Sequence, residues 1–376
     1  MTGKEICNRN NCTGCSVCFD VCPVGCISMK TGALGHLFPH VDQHDCIDCK
    51  LCQKTCPENK IPNFQIPITA YAGWNKDRAE YLSSSSGGAA AAFSEHIISR
   101  GGVVYGCASL QGPIVKHIRI DTLEDLKLLK GSKYVQSNTE GIYKSVQQDL
   151  SRDLNVLFIG TPCQISGLKS FLKKDYDKLI CVDLICHGVP SFAYLLKHVR
   201  SIVGSQEVRV YFRRGNDFTL RISNDKNQDL YQSNLWIQRY QDSYFNAFID
   251  GFSYRESCYK CRYARPERVS DITIGDFWGL SKEIKHDEVN GCSCLLPITS
   301  KGLDLIKESN LELYERPVKE AIEGNSQLKC PTKKTFRIKL FRFLTPLTGE
   351  KYGYFLCEAD NILFKFYRRV INHFRK

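Results

Sequence analysis

One short pattern, used twice, constrains this chain more than any other. The stretch NCTGCSVCFDVCP places Cys12, Cys15, Cys18 and Cys22 in the order C-x2-C-x2-C-x3-C-P, and DCIDCKLCQKTCP repeats it with Cys46, Cys49, Cys52 and Cys56. Three thiolates this close wrap an iron-sulfur cube in a tight loop, and the fourth, ahead of a chain-turning proline, serves the other cube. The expected ligand sets are Cys12, Cys15, Cys18 and Cys56 for one 4Fe-4S cluster, and Cys46, Cys49, Cys52 and Cys22 for the second. Zinc ligands usually come as separated C-x-x-C pairs, which disfavours zinc here. Cys7 and Cys26 stand outside the pattern and read as spare buried thiols.

Twenty cysteines in 376 residues fit either secreted disulfides or intracellular metal and redox chemistry. The opening MTGKEICNRNNC has no apolar core of signal-peptide length, and no window approaches the roughly 18 continuous apolar residues of a membrane span. A reduced, cytoplasmic chain is therefore expected. Of the formal net charge of +11, residues 331–376 carry +8, with eleven Lys and Arg against three acids. The near-neutral remainder argues against a nucleic-acid partner, which needs a basic groove on the main body. In that tail, NILFKFYRRVINHFRK sets Leu363, Phe366, Val370 and Phe374 on one helical face, with Lys365, Arg368, Arg369 and Arg375 around it. Such a basic amphipathic helix suits a peripheral contact with the inner membrane face, or packing on the body or on a second copy in a homo-oligomer.

Between the two extremes the chain reads as mixed α/β. IPNFQIPI, residues 61–68, is a proline-rich linker between the small iron-sulfur domain, 1–60, and the main body. TAYAGW, GGVVYGCAS and IVKHIRI read as strands, TLEDLKLLK as a helix and LWIQRYQDSYFNAFIDGF as one long amphipathic helix. YLSSSSGGAAAAF opens a helix on a Ser/Gly run whose free N–H groups form an anion cradle or a plain cap. NVLFIGTPCQISGL runs a strand through Pro162 into a helix, leaving Cys163 near the helix N-terminus, where the dipole favours the thiolate. KLICVDLICHGVPS ends a second strand near Cys186 and His187, and SDITIGDFWG ends a third at Asp276. Ligands gather at such carboxyl ends of strands. SCYKCRYA adds Cys258 and Cys261, half of a tetrahedral metal site. The alternative partners for that pair, Cys292 and Cys294 in a zinc knuckle, stand at a spacing that fits zinc ribbons poorly.

The first sixty residues resemble bacterial two-cluster ferredoxins. SSSSGG, KGSKYVQS, GTPCQISGL, DLICHGVPS, SCYKCRYA and SDITIGDFWG, in this order, resemble the coenzyme F420 hydrogenase/dehydrogenase beta-subunit family over residues 69 to about 300. The resemblance implies an α+β chain: a small ferredoxin-like iron-sulfur domain, then a mixed α/β flavin-binding domain with parts at 69–152 and 153–330 and the basic tail at 331–376. It implies that Cys163, Cys186, Cys258 and Cys261 hold a third cluster beside FAD. Ser85, Ser86, Gly87 and Gly88 are candidate flavin contacts, Lys133 a cation for the reduced flavin, and Asp276 a flavin or cluster-proximal group. Each also reads as a cap, a surface lysine or a turn residue. His187 is a proton donor or a hydrogen-bond partner of its own loop.

The function implied is an iron-sulfur flavoprotein oxidoreductase, in which one-electron traffic through 4Fe-4S clusters meets hydride chemistry at FAD. Its partners are a one-electron donor or acceptor protein and a small-molecule substrate or deazaflavin-like carrier. Electrons are expected to enter through the ferredoxin domain. Fused members of the family imply a place in polysaccharide biosynthesis in anaerobes. The rival reading is an electron-transfer module without a substrate site of its own.

Overall fold

The structure is a computed structural model that describes residues 4–204, 207–238, 240–284, 290–359 and 361. The basic amphipathic segment expected at the C-terminus lies outside these residues. Thirteen strands are described: β1 Ile27–Thr31, β2 Leu37–Val41, β3 Ala70–Asn75, β4 Val103–Leu110, β5 Ile114–Ile120, β6 Val156–Gly160, β7 Leu179–Leu184, β8 Arg209–Tyr211, β9 Thr219–Ser223, β10 Asp229–Asn234, β11 Ile272–Asp276, β12 Ser293–Pro297 and β13 Leu311–Arg316. Eight of them form one mixed sheet in the order β13-β3-β12-β11-β7-β6-β4-β5. Its centre, β11-β7-β6-β4, is parallel, and antiparallel partners close both flanks.

The sequence dictates this placement. β6 and β7 are short apolar runs buried on both faces, as central parallel strands must be, with Val156, Leu157, Phe158 and Val182 wholly enclosed. The antiparallel relation of β3 to β12 and of β12 to β11 turns β3 the same way as the parallel core. The carboxyl ends of β3, β6, β7 and β11 therefore share one sheet edge. The chain leaves that edge after β6 through Thr161, whose side chain makes a reciprocal capping box with Gln164, and Pro162 starts the helix Pro162–Leu172.

A separate three-stranded sheet, β10-β9-β8, packs Val210, Leu220 and Ile222 with Leu195, Phe245 and Phe341 from three helices. Two sequence expectations are shortened here. LWIQRYQDSYFNAFIDGF is helical only over Ser243–Ile249, because the buried Asp242 accepts from the Phe245 amide and fixes the N-terminus there. TLEDLKLLK is helical only over Leu126–Leu129.

The N-terminal module is a β1-β2 hairpin flanked by two short helices, Val17–Val21 and Leu51–Thr55. It sits against the main body through buried polar contacts. The Asp20 carboxylate, 1 % exposed, accepts from the Gly141 amide at 2.6 Å and the Tyr143 amide at 2.9 Å. It thereby caps the helix Ile142–Ser151, whose own N-cap, Gly141, has no side chain to do so. Tyr143 and Thr139 donate their hydroxyls to the Cys15 carbonyl, and Arg262 pairs with Glu58 at 3.0 Å. Among the described residues no helix is long and apolar enough to cross a membrane.

Candidate metal centres

The two cysteine runs fold alike. Gly14 and Asp48, at the same place in each repeat, have φ of 68° and 56°, and Ser16 and Lys50 have φ of 61° and 58°. Left-handed residues at these positions curl the loop and turn amides inward, the geometry of an anion nest. The amides of Gly14, Val17 and Phe19 accordingly act on the thiols of Cys12, Cys15 and Cys18.

Each loop opens on a cavity. One, with about 470 Å³ of empty space that includes open solvent, is lined by Cys22, Cys26, Cys46, Cys49 and Cys52. The other, about 320 Å³, is lined by Cys7, Cys12, Cys15, Cys18 and Cys56. The cysteines of each crossed set thus line one cavity, each with one further thiol, although among the described residues no three Cys, His, Asp or Glu side chains are grouped as for a bound metal ion. Cys26 Sγ lies 3.5 Å from Cys22 Sγ, and the Cys7 thiol hydrogen-bonds toward Cys12 and Cys56. That Cys7 bond, followed by the Arg255 charge, holds Cys12 below the usual thiol range despite its burial. Sequence reading set Cys7 and Cys26 aside as spares; the structure lines the cavities with them. Cys49 is exposed, whereas Cys12, Cys15, Cys18 and Cys56 are buried. One cavity is therefore outer and the other inner.

The four cysteines proposed from the resemblance come to the shared sheet edge, within one another's electrostatic reach. Cys163 follows β6 by three residues, Cys186 follows β7 by two, and Cys258 and Cys261 arrive in and just after the 3-10 turn Glu256–Lys260. Burial pushes the Cys186 thiol far above its ordinary range, and Cys258, Cys163 and Cys261 add to it. Burial likewise takes Cys258 up to about 11, and Cys163 and Cys261 up to about 12. The helix dipole expected to favour the Cys163 thiolate is outweighed by burial, which the Thr161 hydroxyl at 3.2 Å only partly opposes. Four half-buried thiols that raise one another suit a cationic centre, which reverses that cost by binding them all as thiolates. The rival partners lie elsewhere: Cys292 and Cys294 are buried in and beside β12 among Ala70, Ala72 and Leu296.

The inner cavity and the third set meet on one helix. A Cβ placed at Gly167 would lie 3.2 Å from Cys15 Sγ, so the absence of a side chain there lets the inner loop touch the helix that starts at Pro162. Gly167 and Cys163 are four residues apart, on one face and about 6 Å along the axis.

The cofactor candidates occupy the same sheet edge. Ser86 Oγ is buried without a hydrogen-bond partner, and Ser85 Oγ accepts from the Ser132 amide at 2.9 Å. Gly87 has no room for a Cβ, which would meet Gly73 O at 2.2 Å. Gly88 begins the helix Ala89–Ile98 at φ 83° with no side-chain cap, leaving its first amides open. Asp276 is held bidentately by Arg213, at 2.6 and 3.0 Å, and the guanidinium lies over Phe218. Lys133 does not join them: its ammonium donates to the carbonyls of Leu129 and Lys130, and burial lowers its pKa to about 8. Lys130 is the lysine that reaches the serine run, at Ser83 Oγ, 2.9 Å. His187 reaches solvent, yet desolvation lowers its pKa, an effect that Asp276 partly opposes.

Residues 153–320 match the family described as the C terminus of the coenzyme F420 hydrogenase/dehydrogenase beta subunit, and residues 11–60 match the 4Fe-4S dicluster domain. The match to the beta-subunit family takes in somewhat under half of the chain. The ferredoxin-like domain is joined in front. It is 20% identical over 195 residues to one of the subunits, designated F, of the F(420)H(2) dehydrogenase of Methanosarcina mazei, covering 48% of this chain and 55% of that protein. The chain thus spans about half the length of that relative. Over 61 residues it is 38% identical to a ferredoxin of Methanocaldococcus jannaschii, covering 16% of this chain and 78% of the ferredoxin. A solved chain of the F420-reducing nickel-iron hydrogenase complex from Methanosarcina barkeri aligns with TM-score 0.46 and 16% identity, over 71% of this chain and 94% of that one.

Proposed function

We propose that this protein is an iron-sulfur flavoprotein oxidoreductase with three 4Fe-4S clusters in line. The outer is held by Cys22, Cys46, Cys49 and Cys52, the inner by Cys12, Cys15, Cys18 and Cys56, and the body cluster by Cys163, Cys186, Cys258 and Cys261. The observation that carries this reading is their succession: exposed Cys49 at one end, Cys15 against the Cys163 helix in the middle, and Cys186 at the sheet edge that also bears Asp276. Electrons enter at the exposed end from a one-electron partner and leave at the sheet edge. Bound FAD would supply the exchange between single electrons and a hydride.

The residues present suit that cofactor. The orphaned Ser86 hydroxyl and the open amides of the helix Ala89–Ile98 offer donors to a phosphate. Arg213, pinned by Asp276, is a fixed cation at the same edge. The substrate is a small molecule or a deazaflavin-like carrier that meets the flavin from the exposed side of Trp278.

Anaerobic purification followed by iron, sulfide and flavin analysis tests this. About twelve irons and one FAD per chain are expected, from three four-iron cubes. Cys258→Ser should remove about four irons while leaving flavin and the two N-terminal clusters in place; an unchanged iron count contradicts the body site. Full iron without flavin would favour an electron-transfer module that serves a partner enzyme.

A further inference from the structure

By volume, Arg255 is the largest fully buried side chain among the described residues, 1 % exposed. Its guanidinium stays charged at any working pH, and a desolvated charge needs an anion near it. Its described hydrogen-bond partners are Cys12 O at 2.6 Å, Leu37 O at 2.7 Å, Gln136 Oε1 at 3.2 Å and Cys12 Sγ at 3.4 Å. None is a carboxylate. One face lies 4.2 Å from the centroid of Phe38, a ring that Arg9 also covers at 4.1 Å. The group in contact able to supply negative charge is the Cys12 sulfur, which accepts from the guanidinium at 3.4 Å. By contrast the outer cavity has half-exposed Lys4 beside Cys46, in contact with solvent, where water screens its charge.

We propose, on the cluster reading above, that Arg255 is the built-in counter-ion of the inner cluster and sets its reduction potential above that of the outer one. Four thiolates around a cube leave a net anion, and reduction adds one further negative charge. A buried cation at van der Waals distance from a ligand sulfur therefore stabilises the reduced form more than the oxidised form. One electron passes from the outer cluster, which is oxidised, to the inner cluster, which is reduced, with no proton required. Arg255 is a positioning residue: it touches a ligand rather than the substrate, and its fork also ties residues 12 and 37 of the N-terminal module to residue 136 of the body.

An anaerobic potentiometric titration of the full chain, followed by electron paramagnetic resonance, separates charge from docking. In Arg255→Gln the reduced-to-oxidised ratio of the inner cluster at fixed potential should fall about tenfold, a shift of about 59 mV for one electron. The body cluster should fall less and the outer cluster not at all. Arg255→Lys, which keeps the charge and loses the fork, should hold the inner potential near the wild-type value. Three unchanged potentials in an iron-replete Arg255→Gln protein overturn the proposal, as does a fall in Arg255→Lys equal to that in Arg255→Gln. Should Arg255→Gln fail to assemble, Gln136→Glu sets a carboxylate against the guanidinium and should lower the same potential; no change there also overturns it. A wild-type chain without iron would instead sink the cluster reading itself.

Discussion

Asp20→Ala tests whether the N-terminal module is a working part of the body or an appendage. The carboxylate receives two backbone amides, Gly141 N and Tyr143 N, at the start of the helix Ile142–Ser151. Alanine leaves both donors without an acceptor in a buried setting. An orphaned buried group costs about 1–3 kcal/mol, and loss of an N-cap costs about 0.5–2 kcal/mol on its own scale. Against this, burial raises the Asp20 pKa above the usual carboxylate range in spite of the two amides, so part of the interaction offsets its own desolvation. A net loss of about 2–3 kcal/mol follows. Asp20→Asn, which keeps one acceptor, should lose about half as much. Urea unfolding of anaerobically purified protein measures the stability, and stopped-flow reduction by a ferredoxin-like donor measures transfer into the body. All proposed cluster ligands remain in Asp20→Ala, so the iron content should hold while reduction of the proposed body cluster slows. A variant within about 0.5 kcal/mol of wild type, with unaltered reduction kinetics, would refute the docking role.

Further outcomes follow from the same structure. Asp183 and Arg268 form an enclosed pair at 2.9 Å, 0 % and 2 % exposed, and Arg268 also holds the carbonyl of Tyr263 in the loop after Cys261. Asp183→Ala should cost about 3–5 kcal/mol, with iron lost from the body site first, as read by differential unfolding and metal analysis. His117 is buried between the Ser137 hydroxyl and the Ile159 carbonyl; the carbonyl can only accept, so Nε2 carries the proton. Burial, then Lys133, lowers its pKa to about 4 from 6.5. The unfolded chain therefore binds the extra proton first, and stability that is intact above pH 6.5 is lost as pH falls toward 4, by up to about 3 kcal/mol. His117→Gln should flatten that part of the pH–stability curve, and an unflattened curve assigns the acid sensitivity to other groups.

Local chemistry made much of this legible. The doubled cysteine run carries its own turn geometry, since the same left-handed positions recur at Gly14 and Asp48. Cys163 and Cys186 were readable because an apolar strand followed by a tight turn puts its next residues at a sheet edge. What escaped is long-range. Asp20 acts on Gly141, and Arg255 acts on Cys12, across more than a hundred residues of chain. Nothing local to Arg213 announces its pairing with Asp276, sixty-three residues further along the chain. The long helix expected before Cys258 failed because its periodicity continued through Asp242, whose side chain ends the preceding turn rather than lying on a helix face.

The glycine at position 167 has a kinetic meaning. Electron tunnelling falls off steeply with separation, and the close approach of Cys15 to Gly167 brings the inner loop against the helix that carries Cys163 one turn away. On the proposed reading, passage between the two centres would not limit turnover. The pace of turnover would then be decided at the two ends of the proposed line, where a donor would meet Cys49 and a substrate the sheet edge.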